Sequence, residues 1–234
     1  MKHIIHPAQS RGHNHFGWLD THHSFSFGRY FDPKRMNFGK LRVLNDDFVE
    51  GGDGFGTHPH DNMEIVSIPL TGAIEHQDST GTQGVIHSGD VQIMSAGSGI
   101  THSEYNHSPT EPLNLLQLWV IPEKMNIKPR YGQKTFKIEK QPNQWHTVVA
   151  PNQDDALWIN QDAYFSLMKT NQASNALYSL REPGHGVYFF VIAGGFRAYE
   201  MELSKRDAVG IYDTDEVDMH IASDSYILAV EVPM

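Results

Sequence analysis

Two short stretches carry side chains able to hold a metal ion, Thr57-His58-Pro59-His60 and Thr101-His102-Ser103-Glu104. Each offers two donors spaced i, i+2. Successive side chains of a β-strand alternate between faces, so such a pair shares a face, about 6.7 Å apart along the strand. Two pairs on facing strands converge three imidazoles and one carboxylate. Imidazole suits iron, copper, nickel and zinc, and a carboxylate adds a hard oxygen donor. The expectation is one divalent metal ion held by His58, His60, His102 and Glu104 inside a β-barrel. Glu64, i+4 from His60, falls on the same face under unbroken alternation and stands as the second-choice ligand or a supporting partner.

Strands must position these donors, and the flanking sequence reads as strands. Leu41-Arg42-Val43-Leu44, Glu64 to Leu70, Ala73 to Asp78, Gly84 to His87, Val91 to Met94, Ile100 to Asn106 and Leu113 to Ile121 are short apolar or alternating runs. Gly, Pro or Asp turns separate them, the pattern of a sandwich or barrel rather than a parallel α/β sheet. Ser24-Phe25-Ser26-Phe27 also alternates and reads as a short strand. Gly51 to Gly56 resembles a phosphate cradle only superficially, lacking the Lys-Ser/Thr pair and a following helix. It reads as a flexible loop leading sharply into a strand. Pro59 cannot donate to a ladder, which places the first histidine pair at a strand end or edge.

Pro122 to about Trp145 is richer in Lys, Pro and Gln and reads as a connection. The β pattern then resumes at His146 to Val149, Leu157 to Ile159, Tyr164 to Met168, Val187 to Ile192, Ala208 to Tyr212 and Tyr226 to Val230. The reading is all-β, two related β-barrel domains: residues 1–125 bearing the metal, and 126–234, with a linker at about 126–145, lacking metal ligands. His185 and His220 are lone histidines there, read as surface or core residues. His3, His6, His13, His15, His22 and His23 crowd the N-terminal segment without the spacing that would aim them together.

Composition narrows the function classes. The 234 residues carry a formal net charge of −10 and no basic run, which argues against direct nucleic-acid binding. No cysteine is present, excluding disulfides, thiolate metal sites and cysteine nucleophiles. The start has no apolar segment of signal-peptide length and no apolar run reaches membrane-span length, so the cytoplasm is the default expectation and no membrane partner is expected. No Ser-His-Asp set has triad spacing. Phe25, Phe27, Phe55 and Trp18 could line a pocket for a planar ligand, though aromatics in a small barrel are usually core. His76 reads as a strand cap rather than a site residue, and Asn106 as a turn support.

Gly52, His58-Pro59-His60, Glu64 and Gly72 resemble the first cupin motif, and Gly89, Gly97, His102 and Asn106 the second. More narrowly, the chain resembles a pirin over residues 10–125. The matching segments include Arg11-Gly12 to Trp18, Gly54 to His60, Met63-Glu64, Glu75 to Ser79, Gln92 to Gly97 and Ile100 to Asn106. Ser95 replaces the proline of the broad cupin motif, and His102 lies two residues later than that motif places it. The resemblance implies a bicupin of two jelly-roll barrels with one metal in the N-terminal cupin, usually Fe(II), with Mn, Co, Ni, Cu or Zn as other occupants. In many cupins the carboxylate ligand is the glutamate at Glu64; in pirins it is the one at Glu104, which the i, i+2 spacing also favours.

Bacterial pirins of this pattern resemble quercetinases. That implies a quercetin 2,3-dioxygenase-type reaction, in which a planar flavonol and dioxygen react and carbon monoxide leaves. Glu104 is then both ligand and proton acceptor. The alternative implied by the family is a metal-dependent protein-binding regulator, a transcriptional cofactor whose acidic surface suits a basic protein partner. Fold alone does not choose between them.

Overall fold

The computed structural model describes residues 1–234. In chain order the strands are β1 Lys2–His6, β2 Gly12–His15, β3 Leu19–His23, β4 Leu41–Val49, β5 Gly54–His60, β6 Glu64–Thr71, β7 Ala73–Asp78 and β8 Gln83–His87. Next come β9 Asp90–Ser95, β10 Ile100–Asn106, β11 Leu113–Val120, β12 Arg130–Thr135, β13 His146–Ala150, β14 Leu157–Trp158 and β15 Tyr164–Lys169. The chain ends with β16 Ser174–Ser179, β17 His185–Ala193, β18 Gly195–Ala198, β19 Met201–Ser204, β20 Ala208–Tyr212, β21 Glu216–Ile221 and β22 Tyr226–Pro233. Two three-residue 3-10 turns are the only helical elements, and no helix is long and apolar enough to cross a membrane.

These strands form two sandwiches, each a seven-stranded sheet on a four-stranded one. The first pairs β12-β9-β6-β11-β4-β3-β2 with β5-β10-β7-β8; the second pairs β1-β20-β17-β22-β15-β13-β14 with β16-β21-β18-β19. The architecture is all-β with two cupin barrels, as expected. The strands do not follow the boundary drawn at 125/126. The N-terminal β1 pairs with β20 in the second half's sheet, and β12, within the stretch read as linker, pairs with β9 in the first half's sheet.

The large sheets face one another across a 26-residue core drawn from both halves, including Leu44, Val66, Leu116, Leu118, Phe165, Phe190, Leu228 and Val230. This explains runs that are apolar without alternation: both faces are buried. In β17, Tyr188, Phe190 and Ile192 enter the shared core, while Val187, Phe189 and Val191 fill the second sandwich. That sandwich is packed solid with 16 apolar residues. The first holds only two small apolar clusters, of six and four residues. Polar side chains fill the space between them, and the site lies there.

Ser24 to Phe27 is not a strand but irregular chain with one isolated bridge, Phe27 to Tyr30. Phe25 enters the shared core and packs on Tyr188, whereas Phe27 packs on Trp119 on the cavity side. A chain sending these neighbours into different compartments satisfies its backbone locally; the Ser26 amide donates to the Arg35 carbonyl.

Candidate metal centre

The edge strand β5 and its neighbour β10 carry the predicted donors. Their antiparallel register sets His58 opposite His102 and His60 opposite Ile100. Pro59 is tolerated because β5 is an edge, so its missing amide leaves no inner ladder bond unmade. Along β10, Ile100, His102, Glu104 and Asn106 are buried and Thr101 and Tyr105 exposed, the alternation the spacing required. A register irregularity between His102 and Glu104 shifts Glu104 to face Phe55 on β5, while on its other side it pairs with His76 of β7.

His58, His60 and His102 bring one ring nitrogen each within 4.8 Å of the others. Glu104 stands in an overlapping group with His102 and His76, so His102 is shared and the carboxylate sits beside the trio rather than inside it. Glu104 Oε2 accepts a hydrogen bond from Gln117 Nε2 at 2.7 Å, and Oε1 one from Ser67 Oγ at 3.2 Å. These two donors come from the opposite, seven-stranded sheet and aim the carboxylate across the sandwich interior.

The histidines are prepared as ligands. His58 Nδ1 donates to the Gly56 carbonyl at 2.8 Å, which leaves a lone pair on Nε2. That Nε2 lies 3.0 Å from His102 Nε2. This separation matches two neighbouring ligands on one ion, roughly 3.0 Å for ~2.1 Å bonds at a right angle. Burial, reinforced by the neighbouring rings, pushes His60 down to about 4 and His102 down to about 3. Both are therefore neutral at pH 7, as metal ligation requires. Three neutral imidazoles and one carboxylate suit a divalent ion of the iron-to-zinc series.

Glu64 is not part of this group. Its Oε2 accepts from Ser95 Oγ at 2.8 Å and from the Asn160 amide at 3.2 Å, contacts on the side facing the second half. The alternation counted from His60 breaks because β5 ends there and Asn62 turns the chain with φ 45° before β6 begins. On β6 the residue facing Glu104 is Ser67, an odd number of positions from Glu64 and hence on the other face. His76 is a correction too. Rather than merely capping a strand, it is fully buried 5.3 Å from the His102 ring, its Nε2 donating to Asp78 at 3.0 Å. Asn106 supports loops as read, its side-chain amide donating to the carbonyls of Val49, Glu50 and Glu111.

A cavity of about 280 Å³ opens beside the donors and reaches His58, His60 and Glu104. Phe27, Phe55, Leu19 and Trp119 supply apolar wall; Asn14, Thr21, His23, Arg29, Asn45, Asp47 and Gln117 supply polar groups. Of the four aromatics singled out in the sequence, Phe27 and Phe55 line it, Trp18 backs Phe55 at 5.2 Å, and Phe25 is core. The polar lining and Trp119 were not singled out. Their signal was present: Asn45 and Asp47 in β4, Ser67 in β6 and Gln117 in β11 are polar residues interrupting otherwise apolar strands. Burial pushes the Asp47 carboxyl up to about 7, against the hydrogen bond from the Thr21 hydroxyl. In the second half, His185 is a buried histidine beside Glu231 and Asp162, and His220 bonds Asn175 near the surface.

The family described as Pirin matches residues 5–120, and the family described as Quercetinase C-terminal cupin domain matches residues 147–232. A quercetin 2,3-dioxygenase of Escherichia coli (strain K12) is 41% identical over 98% of this chain and 98% of its own. A pirin-like protein of Caulobacter vibrioides is 37% identical over 96% of this chain and 97% of its own. Among solved structures, bacterial pirin YhhW from Escherichia coli in complex with nickel(II) superposes with a TM-score of 0.93, at 39% identity and 99% coverage of both chains.

Proposed function

The chain belongs to the pirin family, and from that membership and the site geometry we propose that it is a metal-dependent dioxygenase cleaving flavonols such as quercetin. The observation carrying the proposal is that a cluster of three histidine donors presents two of them, His58 and His60, together with Glu104, to a cavity with aromatic walls and polar groups. Its volume, about 280 Å³, falls just below the range for small-molecule pockets, roughly 300–1,000 Å³. A metal facing such a cavity places turnover of a small molecule ahead of the regulatory, partner-binding reading. The full-length relative named quercetin 2,3-dioxygenase supports the same choice.

His58, His60, His102 and Glu104 are the proposed ligands, in an N-terminal cupin drawn mainly from residues 1–125 and completed by β12; residues 126–234, joined by β1, make up the cupin without metal ligands. A bound divalent ion, Fe(II) in this proposal, supplies Lewis acidity that favours the ionised form of an enol hydroxyl and a path for its electrons to dioxygen. Glu104, held by Gln117 and Ser67, accepts the proton from the flavonol 3-hydroxyl. Phe27, Phe55 and Trp119 give the planar rings an aromatic wall, and Thr21, Asn45 and Asp47 offer hydrogen bonds to their hydroxyls. The balance is one flavonol and one dioxygen consumed, one ring-opened ester and one carbon monoxide released. Cytoplasmic residence is part of the same proposal.

The test is oxygen uptake with quercetin, using metal-reconstituted protein beside a His60→Ala variant. Uptake matched by quercetin loss, abolished by chelation and in the variant, is the expected outcome. No uptake by protein shown to retain its metal would remove flavonol cleavage from consideration.

A further inference from the structure

The N-terminal hairpin of β2 and β3 has two faces. Alternation turns Asn14, Thr21 and His23 toward the cavity, and His13, Asp20 and His22 outward. The register sets His13 directly opposite His22, and their rings stack with centroids 4.5 Å apart and planes 18° apart. Asp20, next but one before His22 on the same strand, reaches both: Oδ1 is 2.8 Å from His13 Nε2 and 3.6 Å from His22 Nδ1. One donor atom from each lies within 4.8 Å of the other two.

An ordinary surface histidine–aspartate pair explains only part of this. Such pairs contribute little to stability, about 0–1 kcal/mol. More tellingly, His22 Nδ1 is buried and has no hydrogen-bond partner. A shielded ring nitrogen left unpaired is costly unless something occupies its lone pair. We propose that His13, Asp20 and His22 form a second divalent-metal site, taking a borderline transition ion such as Zn²⁺, Ni²⁺ or Cu²⁺.

The set is two imidazoles and one carboxylate, which suits these ions. The side chains are 51%, 41% and 30% exposed, so water can complete the coordination. The charged groups facing His22 are Asp20, Arg11, His13 and Asp46; Arg11 opposes a cation, and its guanidinium lies 3.4 Å from the buried Asp46 carboxylate, which Arg206 also pairs at 3.2 Å. The ion would cross-link β2 to β3 and so brace the strands that carry Asn14 and Thr21 into the cavity wall. The site shares no residue with the His58, His60, His102 group.

Metal-free wild-type protein equilibrated with Zn²⁺ and analysed for bound metal is expected to hold two equivalents per chain. His13→Ala and His22→Ala are each expected to hold one, as is His102→Ala, which vacates the other site. Cu²⁺ electron paramagnetic resonance of His102→Ala is expected to show nitrogen coupling that His13→Ala removes. His13 is exposed and Asp20 half-buried on the outer face of the hairpin, so Asp20→Asn serves as a variant with the fold intact, verified by circular dichroism, and should lose the same equivalent. One equivalent in the wild type overturns the proposal. So does a second equivalent that survives His13→Ala, His22→Ala and Asp20→Asn alike, since it would belong to another of the chain's 15 histidines.

Discussion

Glu104 and Glu64 are both buried carboxylates, and their hydrogen bonds separate their roles. Glu104 is held by two side-chain donors on the site wall, and Gln117 is itself held by Trp119 Nε1 at 3.1 Å. Replacing Gln117 with Met should leave Glu104 poorly aimed and weaken metal binding roughly 10–100-fold, the usual effect of removing a ligand's supporting partner. A competition titration against a chelator measures this, and an unchanged affinity would show that Gln117 does not position Glu104. Glu64 instead makes a pH-dependent contribution to stability. Burial pushes its carboxyl up to about 7 in the folded chain, against the hydrogen bonds from Ser95 and the Asn160 amide. A raised folded value favours the folded state most at acidic pH. That contribution is complete below the ordinary value of 4.5 and is lost as pH rises through about 7. Glu64→Gln should therefore flatten this part of the stability profile, matching wild type at low pH and exceeding it at about pH 8. Urea unfolding across that range reads the slope directly; identical slopes would mean that Glu64 is ionised throughout. Both glutamates were visible in the sequence as candidates. Spacing favoured Glu104; that Glu64 turns away from the site was not visible, because the turn at Asn62 resets the alternation counted from His60.

The pairing of β5 with β10 sets the distance between the histidine pairs, and one glycine permits it. A Cβ on Gly54 would fall 2.4 Å from both the Glu104 carbonyl oxygen and the Tyr105 Cα, and neither backbone atom can move aside freely. Gly54→Ala should force β5 away from β10 beside the register irregularity. The expected loss is about 1–3 kcal/mol, the usual range for overpacking, together with weaker metal binding. Thermal unfolding and metal titration test the two parts, and a variant with wild-type values in both would show that the strands tolerate the separation. The sequence reading treated this glycine as part of a flexible loop, whereas β5 begins at it. Other elements were missed for a different reason. β16, β18, β19 and β21 make up a whole sheet, yet none stood out in the sequence. Each buries one face only; β21, for example, alternates Val217, Met219 and Ile221 with exposed Glu216, Asp218 and His220. Four to six residues of alternation among charged side chains are a weak signal beside the continuous apolar runs of the doubly buried strands.

At the scale of the molecule, the two halves share their largest core. Phe190 projects from β17 into this core and is fully buried there. Phe190→Ala should cost about 3–5 kcal/mol. The loss should appear as one cooperative transition by both fluorescence and circular dichroism, since β1, Arg206–Asp46 at 3.2 Å and Glu64–Asn160 also tie the halves together. Two separated transitions would show that the halves unfold independently. The same architecture explains why one half carries the site. The second sandwich is filled mainly by aromatics, methionines and aliphatics, and its buried carboxylate, Glu231, is taken up by Tyr178 and Arg181, whereas the first gives its centre to Asn45, Asp47, Ser67, Glu104 and Gln117.

Local chemistry was enough to determine the β class, the two-barrel plan and the family resemblance, and to single out the three histidines that the fold clusters, because i, i+2 spacing and strand periodicity act between near neighbours. Tertiary structure alone decided what depends on distant segments meeting. It put Glu64 against Asn160 and Glu104 against Gln117, lodged His76 behind His102, wrapped β1 onto the second half, and set His13 against His22 across a hairpin. Register and sheet packing bring those partners together, and neither is specified by the identity of any one stretch.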